Sequence, residues 1–234
     1  MLSLKQLARV LLRSFGLTIH RAGAEPGPGG VRPLWRQDGE FMRILDRIGA
    51  ITLVDEVRCY ILYQCAKHTR SLPGAAAEVG VYRGGTARLL ADAVHGTGKP
   101  LHLFDTFGGM PATDPGKDLH ALGDFADTSP EAVLKLLHGR DGVFLHVGVF
   151  PYTAAAVANE SFCLVHVDAD IYRSVLDSCA FFYPRLVPAG MMIFDDYGFP
   201  SCPGAKEAVD AFFASRKEQP IYLPSGQCLV SKLS

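Results

Sequence analysis

Several features that mark other classes of protein are missing from this sequence of 234 residues. Positive charge is not in excess, because 24 Asp and Glu residues offset 23 Lys and Arg residues and leave a formal net charge of −1. A nucleic-acid-binding domain usually presents a basic face, so that class is not expected. No apolar run reaches the roughly 20 residues that a membrane-spanning helix needs, so no transmembrane segment is expected either.

Paired cysteines are missing as well. The six cysteines include no CxxC pair, and several of them lie inside apolar runs. This pattern predicts buried, reduced thiols in a cytoplasmic protein, with neither disulfides nor a structural zinc site.

A helical N-terminal extension is predicted over residues 1–70. Near its start, apolar residues recur at helical spacing, at Leu4, Leu7, Leu11 and Phe15, while the cations fall on another face. This short amphipathic helix is expected to dock on the domain or on a second subunit, which favours a homo-oligomer; a membrane surface is the alternative. A Gly/Pro-rich loop follows at residues 21–33. Two further helical segments come next, and the second has an apolar face formed by Val54, Val57, Tyr60, Ile61 and Cys65.

The pattern changes over residues 71–234, where short apolar runs alternate with helical patterns. This alternation predicts an α/β fold with a doubly wound, mostly parallel sheet. The segment "SPEAVLKLLHG" predicts a helix with Ser129 as its N-cap. The final stretch, "IYLPSGQCLVSKL", predicts an antiparallel C-terminal hairpin.

Acidic residues directly follow two of the most apolar strands. Asp168 ends "CLVHVD", and Asp195 and Asp196 end "MMIFDD". In a doubly wound sheet these strand ends share one rim, where close carboxylates repel one another unless a cation is bound. The sequence therefore predicts a site for Mg²⁺ or a similar divalent cation. The alternative is that the acids are helix caps and turn formers.

The loop after the first strand, "EVGVYRGGT", lacks the GxGxxG fingerprint. Its absence argues against a nucleotide-binding oxidoreductase. Glu78, which precedes the loop, suits a ligand with an ammonium group. Asp105, at the end of the second strand, suits ribose hydroxyls. A nucleoside that bears an amino acid instead of phosphates is S-adenosylmethionine, which is the predicted cofactor.

Five motifs together resemble the macrocin O-methyltransferase family, over about residues 40–232. They are "AEVGVYRGGTARLLA", "LHLFDTFGGMP", "FADTS", "HVDADIYRSV" and "MMIFDDYG". Members of that family are metal-dependent methyltransferases that act on sugar hydroxyls. The resemblance implies a class I methyltransferase (Rossmann-like) fold whose last strand is antiparallel.

The resemblance also implies roles for particular residues. The methionine end of the cofactor would lie against Gly80, Tyr82 and Thr86, the ribose against Asp105, and the adenine between Gly148 and Phe150. Thr106, Phe107, Ser129 and Asp168 are expected as further cofactor contacts, together with Glu78. The metal ligands would be Asp168, Asp195 and Asp196, with Asp168 also counted as catalytic.

Two positions depart from related enzymes. Family members often have a tryptophan in the segment that here reads "GVFP", whereas this chain has Val149 and Phe150. Catechol methyltransferases place a lysine three residues after the first acid. Ile171 stands at that position here, which excludes a lysine base there.

A long polar segment, at about residues 107–129, is predicted to be a lid over the site. Its one histidine, His120, is the predicted general base, because histidine accepts a proton near neutral pH. The alternative is that His120 is a solvated loop residue. His166 precedes Asp168 by two residues, so it points to the same side of its strand and is predicted to be a packed core histidine.

These observations predict a cytoplasmic O-methyltransferase that depends on S-adenosylmethionine and a divalent metal and acts on a sugar or glycoside hydroxyl. A phenolic or catechol acceptor is the rival hypothesis for an enzyme. A non-catalytic partner that only binds the cofactor is the rival from another class.

Overall fold

The computed structural model describes residues 33–234. The predicted amphipathic helix, and the Gly/Pro-rich loop apart from Pro33, lie outside the described residues. The chain divides into two compact units. The first ends at Met42, and the second spans Arg43–Ser234. The described part of the first unit contains a 3₁₀ helix, Leu34–Gln37, and the start of helix α1, Gly39–Ile48. The carboxylate of Asp38 accepts hydrogen bonds from the first amides of α1, which fixes where that helix begins.

The second unit alternates strands with helices, as the sequence predicts. The strands are β1 (Ala75–Val79), β2 (Leu101–Asp105), β3 (Val143–Val147), β4 (Phe162–Val167), β5 (Leu186–Phe194), β6 (Ile221–Tyr222) and β7 (Cys228–Ser231). The helices are α2 (Glu56–Thr69), α3 (Gly85–Ala93), α4 (Pro130–Leu136), α5 (Tyr172–Phe182) and α6 (Pro203–Phe213). A short 3₁₀ helix at Tyr152–Val157 was not predicted from the sequence, and another, Tyr183–Arg185, continues the predicted helix that contains α5.

The strands form one sheet in the order β3-β2-β1-β4-β5-β7-β6. The first five strands are parallel, whereas β7 pairs antiparallel with both β5 and β6. Helices cover both faces: α2 packs against α3, and α5 packs against α6. The predicted class I methyltransferase fold, with its antiparallel C-terminal hairpin, is confirmed. None of the helices between residues 33 and 234 is both long and apolar enough to cross a bilayer.

The predicted apolar face of α2 was wrong. The side chains that the helix buries are Cys59, Leu62, Tyr63, Ala66 and Thr69, whereas Val57 is exposed. Apolar residues surround most of this helix, so its periodicity does not select one face. Contacts with β4 and β5 on one side and with α3 on another select it instead.

The parallel register brings the strand ends to one level. Val79 of β1 lies opposite Val167 of β4, and Val167 lies opposite Phe194 of β5. The amide of Asp168 donates to the carbonyl of Val79, and the amide of Asp195 donates to the carbonyl of Val167. The residues after each strand therefore meet at one rim, which is where ligands bind in open α/β sheets.

Candidate active site

A cavity of about 290 Å³ opens at this rim. The predicted site residues that line it are Gly80, Tyr82, Thr86, Asp105, Thr106, His120, Gly148, Phe150, Asp168, Asp195 and Asp196. Three others, Glu78, Phe107 and Ser129, are absent from its wall. The structure thus brings most of the sequence-predicted residues together.

Gly80 shapes the wall of the cavity after β1. Its φ of +88° lies in the left-handed region, and a Cβ at this position would lie 1.7 Å from the carbonyl oxygen of Asp168. Only glycine fits there, because no real Cβ approaches an oxygen so closely. Gly84, with a φ of +85°, caps the N-terminus of α3. Backbone thus forms this side of the cavity, and the N-terminus of α3 begins beside it.

Asp105 orders two loops at once. Its Oδ2 accepts hydrogen bonds from the amides of Val81, at 2.7 Å, and Tyr82, at 2.8 Å. Its Oδ1 accepts from the amide of Phe107 at 2.7 Å. A carboxylate has about four lone-pair sites, so three backbone bonds leave room for one more donor. Asp105 holds the glycine loop against the loop after β2, in addition to any contact that it makes with a ligand.

The three predicted residues outside the cavity wall have structural partners. Glu78 is fully buried, and its Oε1 lies 2.9 Å from Nδ1 of His166. Phe107, with a φ of +52°, donates its amide to Asp105. Ser129 caps α4, as predicted, because its hydroxyl accepts from the amide of Ala132 at 3.2 Å. Their contact with a cofactor stays a prediction.

Phe150 joins the cavity to the core. It is 7% exposed and packs on Phe104 and Phe182, with ring centroids 5.3 Å apart in both pairs. The amide of Gly148 donates to the carbonyl of Asp105, which ties this loop to the end of β2. The cavity wall therefore includes an apolar part as well as an acidic one.

The acidic wall consists of Asp168, Asp195 and Asp196. One carboxylate oxygen from each lies within 4.8 Å of those of the other two. Burial, followed by the charge of Asp195, raises the pKa of Asp168 well above its usual range. Burial, followed by the charge of Asp168, does the same to Asp196. An all-oxygen set of mutually repelling carboxylates, two of them buried and one half-buried, fits a hard divalent cation.

Two cationic side chains and one amide side chain surround the carboxylate of Asp195. Its Oδ2 pairs with the guanidinium of Arg58, its Oδ1 accepts from Nε2 of Gln227 at 2.8 Å, and Nε2 of His166 lies 3.6 Å from Oδ1. Burial alone would raise the pKa of Asp195, but His166 and Arg58 lower it. Asp195 is therefore the acid that stays ionised in this cluster.

His166 is a fully buried histidine between two carboxylates. Burial alone would lower its pKa, but the nearby carboxylates of Asp195 and Glu78 raise the pKa to about 10. It is packed in the core, as its strand position predicts, and it also links β1 to the acidic wall. The hydrogen bonds from Arg58 and Gln227 orient Asp195, and His166 adds positive charge beside it.

His120 lies beside the acids, in the lid. Its Nε2 is 3.7 Å from Oδ1 of Asp170 and 3.7 Å from Sγ of Cys202, and its Nδ1 is 3.4 Å from Oδ2 of Asp124. The side chain is 20% exposed and lines the cavity. The structure thus places His120 at the site, in place of the alternative of a solvated loop residue.

The predicted lid is joined to the rest of the domain near its middle and at its C-terminal end. Asp118 accepts from the amide of Tyr172 at 2.8 Å, which joins the lid to the start of α5. At the other end, the hydroxyl of Thr128 donates to the carbonyl of Tyr82, and the hydroxyl of Tyr82 donates to Asp127 at 2.8 Å. The Tyr82 ring also makes an edge contact with Phe125. These contacts position His120 from two sides.

Sequence analysis missed Arg58, Gln227 and Cys202 as members of the site. All three contact site acids, but from distant parts of the chain. Arg58 lies on the helix whose buried face was wrongly predicted. No local motif marks any of them.

Comparison with known proteins agrees with this geometry. The family described as Macrocin-O-methyltransferase (TylF) matches residues 45–224. The chain belongs to the macrocin O-methyltransferase family. It is accordingly an O-methyltransferase, as the motifs predict.

Two relatives and one solved structure illustrate the membership. Mycinamicin III 3''-O-methyltransferase of Micromonospora griseorubida is 28% identical over 181 residues, which covers 70% of each chain. The 8-demethyl-8-(2,3-dimethoxy-alpha-L-rhamnosyl)-tetracenomycin-C 4'-O-methyltransferase of Streptomyces olivaceus is 29% identical over 150 residues, 57% of each chain. The structure of the O-methyltransferase NovP has a TM-score of 0.68 at 24% identity and covers 78% of this chain and 82% of that one, which shows the shared fold.

Proposed function

We propose that this macrocin O-methyltransferase family member transfers a methyl group from S-adenosylmethionine to a hydroxyl of a sugar or glycoside, with the help of a divalent cation such as Mg²⁺. The observation that most supports this proposal is the convergence of Asp168, Asp195 and Asp196 on a cavity that the glycine loop also lines. The names of the relatives support a sugar acceptor, because one of them acts on a rhamnosyl compound.

Different residues would hold the cofactor and the cation. Gly80, Tyr82, Thr86 and Asp105 would bind S-adenosylmethionine, which supplies an electrophilic methyl group on a sulfonium. Asp168, Asp195 and Asp196 would hold the cation, which supplies positive charge that favours loss of the acceptor's hydroxyl proton.

His120 is the proposed general base. It accepts the hydroxyl proton at Nε2, while Asp124 near Nδ1 favours the tautomer that leaves Nε2 free. Asp124 and Asp170 then stabilise the imidazolium that forms. The other site residues orient the acceptor and exclude water, and much of the rate enhancement comes from this alignment.

The role of the cation is tested by removing it. After EDTA treatment and desalting, we expect methyl transfer to stop and to return when Mg²⁺ is added. Asp168→Asn and Asp196→Asn should abolish most turnover while the protein stays folded. Asp141→Asn, an exposed acid outside the cavity, serves as the control and should keep full activity. Full turnover by a protein that elemental analysis shows to be metal-free would exclude the metal role.

The role of His120 is tested separately. His120→Ala should lower turnover by about 10²–10⁴, the usual effect of losing a positioned base, with little change in cofactor affinity. The exposed His95 provides a matched control, and His95→Ala should behave as the wild type. If His120→Ala keeps near-normal turnover, the base is another group, and Asp170 is the next to test.

The acceptor class is tested by a panel of free sugars, glycosides and catechols with labelled S-adenosylmethionine. Transfer to glycosides and not to catechols is the expected result. Transfer to catechols alone would favour the rival acceptor, and binding of the cofactor without transfer to any acceptor would favour the non-catalytic hypothesis.

A further inference from the structure

The side chains of His120, Asp170 and Cys202 form a second cluster in the cavity, beside the three acids. The lid contributes His120, the turn after β4 contributes Asp170, and the N-cap of α6 contributes Cys202. One ligand atom from each lies within 4.8 Å of the other two. We propose that this cluster is a binding site for Zn²⁺ or a similar thiophilic cation, distinct from the all-carboxylate site.

The distances within the cluster fit tetrahedral coordination. Nε2 of His120 lies 3.7 Å from Sγ of Cys202 and 3.7 Å from Oδ1 of Asp170, and that Sγ lies 3.4 Å from the same Oδ1. Zinc bonds of about 2.3 Å to sulfur and about 2.0–2.2 Å to nitrogen and oxygen place tetrahedral ligands about 3.4–3.6 Å apart. The three atoms therefore already occupy positions close to three corners of a tetrahedron.

The surroundings of His120 fit the same interpretation. A zinc-bound histidine commonly donates its second ring N–H to a carboxylate, which fixes the tautomer. Asp124 occupies that position, with Oδ2 3.4 Å from Nδ1 of His120.

The ligand types separate this site from the acidic one. Thiolate and imidazole select zinc and similar cations, whereas carboxylates alone suit Mg²⁺. On binding, the thiol of Cys202 loses its proton to the buffer, and its sulfur, Nε2 of His120 and Oδ1 of Asp170 each donate a lone pair. Because Nε2 is then occupied, it can no longer accept a proton. We therefore expect Zn²⁺ to inhibit methyl transfer even when Mg²⁺ is in excess.

Cobalt spectroscopy tests the site without reference to activity. Co²⁺ added to the full-length protein should give a near-ultraviolet thiolate-to-cobalt band that reaches a plateau on titration, and Zn²⁺ should bleach it. The band should disappear in Cys202→Ser. It should persist in Cys65→Ser, which removes a partly buried thiol elsewhere, and in Asp168→Asn, which weakens the all-carboxylate site. Asp124→Asn should weaken Co²⁺ binding about 10–100-fold, the usual effect of losing a carboxylate behind a ligating histidine.

Two results would overturn the site: a folded wild type that gives no such band, or a band that survives in Cys202→Ser. If Cys202→Ser does not fold, the wild-type titration and Asp124→Asn still decide. The expected inhibition of methyl transfer by Zn²⁺ is the one part of this proposal that rests on the proposed function. It is measured as the ratio of turnover with and without Zn²⁺. If no acceptor is methylated, the cobalt spectrum still tests the site independently.

Discussion

At the scale of the residue, the sharpest constraint in the site is the contact between Gly80 and the carbonyl of Asp168. A Cβ would have to lie 1.7 Å from that oxygen, in a backbone conformation that L residues rarely adopt. The neighbour is backbone at the end of a central strand, so it cannot rotate out of the way. The close approach joins the glycine loop to the strand that delivers the first acid.

Gly80→Ala should therefore destabilise the protein by more than about 2 kcal/mol, because conformational strain and a backbone clash add together. Urea unfolding measures the difference. Gly139→Ala is the matched control, because Gly139 has a φ of +79° but no atom within 4 Å of the added Cβ. The control should lose only about 1 kcal/mol, from strain alone. Equal losses of unfolding free energy in the two variants would show that the structure accommodates the Cβ at position 80 without an energetic penalty from the clash.

The residues of the site also show what a sequence can predict. Asp168, Asp195 and Asp196 were predicted because each follows its strand directly, and parallel strand ends share one rim. Arg58 and Gln227 were not, because they reach Asp195 from 137 and 32 residues away. Their positions depend on how α2 rotates on the sheet and on where β7 inserts, which no local pattern determines.

At the scale of the element, β2 and β3 are joined by a pair of histidines. Nδ1 of His102 lies 3.0 Å from Nε2 of His146, and Nε2 of His102 lies 3.0 Å from a carboxylate oxygen of Glu160. Burial lowers the pKa of both histidines below the ordinary value of 6.5, and for His102 the charge of Glu160 opposes part of that effect. The folded protein thus favours the neutral forms.

The unfolded chain binds protons at these histidines at a higher pH than the folded one does. Their contribution to stability is therefore complete above about pH 6.5 and is lost as the pH falls through the lower folded values. His102→Gln should make the melting temperature less sensitive to pH between 7 and 5. His68→Gln, at an exposed histidine, should leave the wild-type slope unchanged. A slope in His102→Gln as steep as in the wild type would place the acid sensitivity elsewhere.

The elements themselves were predicted well, because each strand of the parallel part is a short apolar run bounded by turn residues. The buried face of α2 was not, because apolar side chains occupy most of its circumference. The packing of α2 against the sheet, and not the periodicity of its apolar residues, determines which of these side chains are buried.

At the scale of the whole molecule, the segments after all five parallel strands line the cavity, with the predicted lid as part of the segment after β2, so a bound ligand should stabilise the second unit. S-adenosylmethionine at 100 times its dissociation constant should add about 2.7 kcal/mol, which corresponds to a rise of about 5–10 °C in melting temperature. Differential scanning fluorimetry measures this shift. Thr86→Val, in the cavity wall, should reduce it, whereas Thr97→Val, outside the cavity, should not. A wild type whose melting temperature does not respond to the cofactor would contradict cofactor binding.

The predicted role of residues 1–32, the homo-oligomer and the cytoplasmic location concern properties beyond the described fold and stay predictions. Sedimentation of the full chain and of a chain that starts at Pro33 would compare the two assemblies directly. A smaller number of subunits per particle in the shorter chain would support subunit contacts through the amphipathic helix.

The position of β7 has a consequence for biosynthesis. This strand follows all the others in sequence, yet it lies between β5 and β6, and the residue just before it, Gln227, contacts Asp195. During translation the five parallel strands leave the ribosome first, so they can pair while the edge of β5 is still open. The free edge of β5 has no pairing strand, and Asp195 has no hydrogen bond from Gln227, until the β7 segment has been synthesised. A ribosome stalled before that segment emerges would therefore display a nascent chain with an ordered parallel sheet in which Asp195 lacks its hydrogen bond from Gln227.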